Sequence, residues 1–224
     1  MKKPDTFIIL LVILFVLTFP FILAAIMGGK DYVFIGFLLN PKDGASYLAK
    51  MYLGWSGQWQ FTLPYTAEVS QGAYLFLFYI FLGHLARWVH LPLLFVFHLS
   101  RLLCSFFFLF TLLLFYERVF PTRPDLKRNA FLITAFGSGM GWLLIFSGKI
   151  PFDFWVAEAY PFLSMYSNPH FPAGLGLLIL SFVILLEVAS LKRNLKLITV
   201  GLLIAIIYPF GFVLIIALAG GWLL

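Results

Sequence analysis

Residues 7–27 run without a charged side chain, behind an N-terminus that opens Met1-Lys2-Lys3. About 20 such residues carry a helix across the hydrocarbon core of a bilayer, whereas the apolar stretch of a secretory leader runs to about 7–15. Small residues (Ala24, Ala25, Gly28, Gly29) follow as they would at a cleavage site. The length of the run nevertheless favours a retained helix, kinked near Pro20.

Four further stretches, 93–116, 130–147, 173–190 and 197–218, are also long and apolar, with Arg101 and Glu187 as their only Asp, Glu, Lys or Arg residues. Charged residues make up 11% of the chain, against about 25% in soluble domains, which excludes a water-soluble globule. The 28 Phe, 10 Tyr and 6 Trp exclude disorder. A single cysteine, Cys104, excludes an intrachain disulfide or a Cys-based metal site. The net charge of +6 comes from basic residues flanking apolar segments, where they set topology rather than bind nucleic acid.

Segment 73–86 is apolar but short, and Gly83, His84 and Arg87 close it. If it stays on the surface, Lys2, Lys3, Arg118, Arg123, Lys127, Arg128, Lys192, Arg193 and Lys196 gather on the cytoplasmic side. Lys30, Lys42, Lys50, Arg87, Arg101 and Lys149 then lie outside or near the outer face. If it crosses, the loops at 117–129 and 191–196 move outside and the positive-inside bias inverts. The sequence therefore predicts an all-α integral membrane protein, one domain over 1–224, with about five spans: 7–27, 93–116, 130–147, 173–190 and 197–218. A long first extracytoplasmic loop, 30–92, carries amphipathic juxtamembrane helices, and a second outer loop covers 148–172.

Asp5, Glu117, Asp125 and Glu187 fall beside cytoplasmic basic residues and read as interfacial ion pairs. Asp31, Asp43, Glu68, Asp153 and Glu158 fall in the two outer loops, where acids gathered at one face can form a polar cavity. Asp43 heads a segment in which Ala45, Ala49 and Leu48, Tyr52 recur at i, i+4 spacing up to Gly54. That is the pattern of a short amphipathic helix. The Asp43 carboxylate can cap this helix, act as a general base or bind a metal, and the roles are compatible. Trp55 and Trp59 read as interface anchors or as platforms for a sugar ring. Glu68 stands just before the short apolar segment as a candidate second carboxylate.

Arg101 lies inside the second span, where an arginine costs about 2.5–3.5 kcal/mol and seeks an anion. Its planar fork suits a carboxylate or phosphate, and an ion pair to Glu68 or another outer acid is the structural alternative. Asp153, Glu158 and His170 can ligate a metal but match no compact spacing. His170, beside a helix start, also reads as a packed or capping residue. Gly137-Ser138-Gly139-Met140-Gly141 lacks the Lys-Ser/Thr and preceding strand of a phosphate loop. Gly137 and Gly141 instead fit small-xxx-small packing in a membrane helix.

Asp43 and Tyr47 on a surface helix, Glu68 before a second apolar surface helix with Leu82-Gly83, then Arg101-Leu102 in the next span: this layout resembles the GT-C superfamily of membrane glycosyltransferases. The protein O-mannosyltransferase and aminoarabinose-transferase types are the most similar, over roughly residues 7–190. The resemblance implies transfer of a sugar from a polyprenyl-phosphate donor at the extracytoplasmic face of a prokaryotic cytoplasmic membrane, with the N-terminus cytoplasmic. It assigns Asp43 as catalytic base or metal-binding carboxylate, Glu68 as a second carboxylate, and Arg101 to the donor phosphate or to organising the carboxylates. Tyr47, Trp55, Trp59, Asp153, Glu158 and His170 are then expected to line the site. A divalent metal is the candidate cofactor, with Asp43, Glu68 and His170 as candidate ligands. Membrane lipids and the lipid-linked donor are the implied partners, and nucleic acid is not.

The chain departs from the family pattern in three places. Gly44 follows Asp43 where many members carry a second acid, and Gln71-Gly72 stands where His-Pro-Pro is common. Five spans also fall short of a seven-span module, as expected of the N-terminal part of such an enzyme. A non-catalytic subunit or degenerate relative is the alternative from another class. A small transporter lined by Arg101 and Glu68 ranks last, because transporters place such groups near the midplane, often in repeats.

Overall fold

The computed structural model describes residues 3–28, 33–63, 66–68, 71–137, 139–148 and 150–223, and over these the chain is all-helical. Lys2, Lys30, Asp31, Ser138 and Lys149 lie outside the described residues. Helix α1 (Lys3–Met27) runs through the first apolar stretch with Pro20 inside it. Two short helices follow, α2 (Pro41–Trp55) and α3 (Leu77–Trp88), joined by a loop that a Phe61–Ala73 antiparallel bridge closes. With 12 residues, α3 extends about 18 Å, well under the ~30 Å hydrocarbon core. Helix α4 (Leu93–Val119) and α1 are the two described helices long and apolar enough to cross a membrane.

The second half departs from the expected spans. Residues 130–147 are not one helix: α5 (Pro124–Phe136) stops at Gly137, whose backbone is extended, and Gly141–Ser147 is a separate 3-10 helix. Gly137 and Gly141 therefore do not pack as a helical pair. Helix α6 (Pro161–Ser167) is a single short element, and α7 (His170–Leu185) begins and ends earlier than 173–190. The run 197–218 is split at Tyr208-Pro209 into α8 (Leu191–Ile207) and α9 (Phe210–Leu223). Proline removes a helix donor and pushes its predecessor out of the α region, which breaks the span that the sequence predicts as continuous.

Helix α4 is central. Its buried residues Val96, Phe97, Ser100, Arg101, Ser105, Phe108, Leu109 and Leu112 recur three or four apart and face inward. Phe108, Leu109 and Leu112 pack with Leu10, Ile13 and Leu17 of α1, Phe131 and Ala135 of α5, and Met165 of α6. Val96 and Phe97 pack with Met51 of α2 and Tyr79 and Leu82 of α3. On the opposite side Phe95, Leu99, Leu103, Phe106 and Phe110 form an exposed apolar stripe, of a kind that marks an interaction surface.

The basic residues of 117–128 and 191–196 collect at one end. Thr6, Glu117 and Lys127 line one cleft there, and Arg118, Glu187, Lys192 and Lys196 line another. The starts of α1, α5 and α8 thus meet the ends of α4 and α7. Lys127–Glu117, Arg128–Asp125 and Lys196–Glu187 are ion pairs, as the sequence suggests for those three acids. The other end holds α2, α3, the start of α7 and the end of α8.

Helices α2 and α3 cross on two glycines. A Cβ at Gly54 would overlap the Ile80 carbonyl oxygen, and one at Gly83 the Met51 carbonyl oxygen. Backbone cannot yield as a side-chain tip can, and overpacking typically costs about 1–3 kcal/mol. Gly54→Ala and Gly83→Ala are each expected to destabilise the chain by at least about 2 kcal/mol. Thiol-dye labelling of Cys104 during thermal unfolding in detergent provides the measurement; a melting temperature equal to the parent's would refute the close crossing.

Candidate functional site

At the end away from the basic residues of 117–128 and 191–196, α2, α3, α7 and α8 surround a cavity of about 560 Å³. Its polar side carries Asn40, Asp43, Tyr47, Glu158 and His170; its apolar side carries Leu75, Phe76, Ile206, Ile207 and Phe210. A second, more open cleft of about 500 Å³ lies beside it, lined by Asn40, Pro41, Lys42, Asp43, Trp155, Val156 and Glu158. Asn40, Asp43 and Glu158 line both.

Asp43 reaches this place by a route different from capping. The N-cap of α2 is Asn40, in the left-handed region at φ 46°, and Pro41 opens the helix. Proline is preorganised for the first helical position. Asp43 therefore occupies the first turn, where the helix dipole favours a negative charge, and the capping role read from the sequence is corrected. Asn40 Nδ2 instead donates to the Trp155 carbonyl at 3.4 Å, tying the start of α2 to the second outer loop.

Around Asp43 the side chains interlock. Tyr47 stacks on Tyr79 with ring centroids 4.2 Å apart, and Tyr79 Oη lies 2.6 Å from His170 Nδ1. Burial, then the charges of Asp43 and Glu158, push the Tyr47 phenol up to about 12. Burial first, then the Lys50 charge, pushes His170 down to about 3. Tyr79 is fully buried and also shifted well above the usual phenol range. With the imidazole neutral and the phenol protonated, the direction of this bond follows the tautomer: Tyr79 Oη donates to a bare Nδ1, or a protonated Nδ1 donates to Oη. Lys50 is buried too, with Nζ donating to Ser46 Oγ at 2.7 Å and lying 4.6 Å and 4.3 Å from the Tyr47 and Phe76 ring centres. Burial lowers its affinity for its proton, partly offset by Asp43.

Four of the residues expected from the sequence, Asp43, Tyr47, Glu158 and His170, thus share one cavity. The others stand apart. Glu68 is exposed and lines neither cleft. Trp55 and Trp59 are half-exposed, Trp55 stacked on Tyr52 and Trp59 on His84. Asp153 is buried, accepting from Gly141 N and Tyr160 Oη at 2.9 Å and 2.8 Å, so it braces the loop that follows α5.

Arg101 is fully buried and donates from Nη1 to the carbonyls of Leu17, Met165 and Tyr166 at 3.4, 3.1 and 3.4 Å. Its guanidinium lies 4.3 Å from the Phe21 ring centre, while Nε and Nη2 have no partner among the described residues. It therefore pairs with neither Asp43 nor Glu68, and the expected approach of those three is corrected. Nor do Asp43, Glu68 and His170 converge: no group of three or more His, Cys, Asp or Glu side chains able to hold a metal occurs among the described residues. Sequence reasoning missed Asn40, Tyr79 and Lys50 as members of the site. The Asn40-Pro41 pair was the available signal for the first.

No protein-family model, curated protein or solved structure matches this chain.

The His170 shift predicts a pH dependence. Its folded-state value lies below the ordinary ~6.5, so below that pH the unfolded chain takes up a proton that the folded chain refuses. Stability linked to His170 is full above about 6.5 and falls toward about 3, by up to ~1.4 kcal/mol per pH unit. Thermal melts of the parent and His170→Gln between pH 7 and about 4 should therefore converge as pH falls. A constant gap would place His170 in water.

Proposed function

We propose that this chain is a membrane glycosyltransferase module of the GT-C type, moving a sugar from a polyprenyl-phosphate donor onto an acceptor hydroxyl. The observation that carries this reading is the position of Asp43 and Glu158 on the shared wall of two clefts, one largely apolar and one open. A transfer between a lipid-linked and a water-side substrate needs that arrangement. The apolar cavity falls within the ~300–1,000 Å³ typical of ligand sites. Its Ile206, Ile207 and Phe210 wall suits a prenyl chain, and the open cleft admits the acceptor.

In this mechanism the Asp43 carboxylate takes the acceptor proton as the hydroxyl oxygen bonds to the anomeric carbon. The bond from that carbon to the donor phosphate breaks, and its electron pair leaves with the phosphate. Tyr47 keeps its phenolic proton and can donate it as a hydrogen bond to the leaving oxygen. The chain is read as crossing the membrane five times, through α1, α4, α5 with the turns after it, α7 from Ala173 onward, and the interrupted pair α8–α9. The gathering of basic residues at the end opposite the cavity supports this orientation, with loops 117–129 and 191–196 cytoplasmic.

A second reading, a non-catalytic relative, is favoured by the placement of Arg101 and Glu68. The cation and second carboxylate that the resemblance assigns are both absent from the cavity lining.

Asp43→Asn keeps shape and removes charge. In membranes supplied with polyprenyl-phosphate hexoses or pentoses, it should lower transfer by about 10²–10⁴ while leaving the melting temperature unchanged. Activity within about threefold of the parent would make Asp43 dispensable as a base, and a parent without transfer would sustain the non-catalytic reading. Orientation has a separate check: Arg123→Cys and Lys192→Cys should react with an impermeant thiol reagent only after the cells are opened. Labelling of both in intact cells would overturn the five-pass topology.

A further inference from the structure

The end of the molecule farthest from the cavity carries a cleft of its own, about 660 Å³, between α4, α7 and α8. Leu114, Leu180, Ile184 and Val200 form its apolar wall, and Arg118 and Lys192 stand on its rim. The local charges do not cancel. Glu117 is bound by Lys127 and Glu187 by Lys196, which uses both carboxylates and leaves the charges of Arg118 and Lys192 in excess. Both side chains are exposed, and both lie near enough to Glu187 to act on it electrostatically. An apolar slot topped by surplus cations, set where membrane helices end, complements a molecule with a hydrocarbon tail and an anionic head.

We propose that this cleft binds an anionic phospholipid, with an acyl chain along the Leu114–Leu180–Ile184–Val200 wall and the headgroup phosphate between Arg118 and Lys192. The site is separate from the cavity around Asp43, since the two lie at opposite ends of the bundle. It rests on the chain crossing a membrane and not on sugar transfer. A lipid held there also bridges α4 to α8, joining helices from the two halves of the chain.

The test uses the full chain, purified in neutral detergent and offered equal amounts of phosphatidylglycerol and phosphatidylcholine of matched acyl length. Bound lipid is read by native mass spectrometry. The parent should retain phosphatidylglycerol about tenfold over phosphatidylcholine, and Arg118→Gln with Lys192→Gln should bring the ratio to near one. Thr199→Trp keeps every charge and narrows the slot, so it should lower retention of phosphatidylglycerol about threefold or more at an unchanged melting temperature. Lys42→Gln with Arg87→Gln, cations outside this cleft, should leave the ratio as in the parent. Equal retention of both lipids by the parent, or a preference that survives loss of Arg118 and Lys192, overturns the proposal. Displacement of the lipid by glycerol phosphate at equal concentration would show a free-phosphate site and overturn the acyl slot. A chain that stays dispersed without detergent and retains neither lipid would instead refute the membrane reading itself.

Discussion

Arg101 sits on α4 with no exposed surface, and it reaches main-chain oxygens rather than a carboxylate. Two of those oxygens, on Met165 and Tyr166, belong to the last turn of α6, where helix carbonyls have no intrahelical donor and the dipole favours a cation. The third belongs to Leu17 of α1. One side chain therefore joins three helices through their backbone carbonyls, with Ser105 Oγ also donating to that of Met165. The Phe21 ring against the guanidinium adds a contact that needs no hydrogen bond. Four residues beyond Tyr166 the chain arrives at His170, the first residue of α7.

That role was hidden from the sequence for a definite reason. An arginine in an apolar run announces that it must be satisfied, but not by what, and helix C-terminal carbonyls leave no mark in the amino-acid code. Elements governed by run length were legible: α1 and α4 follow from unbroken apolar stretches, and α2 from its i, i+4 pattern. The short 73–86 run gave α3, trimmed to Leu77–Trp88. The misread spans are those where punctuation outweighs hydropathy. Pro209 divides α8 from α9, and Gly137 ends α5, although the residues on either side are as apolar as any in the chain. In such sequence, total hydrophobicity overstates helix continuity.

The site was legible as an end of the molecule more than as a set of neighbours. Charge placement puts Asp43, Glu68, Asp153 and Glu158 on one side, yet says nothing of their positions around the bundle. Tertiary packing decided that. Asn40 bonds the Trp155 carbonyl, and Glu158 lines the same clefts as Asp43, whereas Asp153 turns inward to brace Gly141 and Tyr160. Glu68 itself is exposed and lines neither cleft, although Leu75 and Phe76, later in the same loop, line the cavity. Tyr79 could not be singled out beforehand, because a tyrosine within a Phe-rich amphipathic helix carries no mark of its hydroxyl's partner.

The electrostatics of the cavity follow from how few charges enter it. Lys50 lies beneath the wall, its ammonium enclosed by Tyr47, Phe76 and Ser46, so its field acts within a medium of low polarizability. That field, added to burial, keeps His170 neutral beside Tyr79. The stacked Tyr47 and Tyr79 rings separate the ammonium from the open side, and the two phenols hold their protons. Between them these groups form a wall of neutral donors and acceptors behind two carboxylates, Asp43 and Glu158, that retain access to the open cleft.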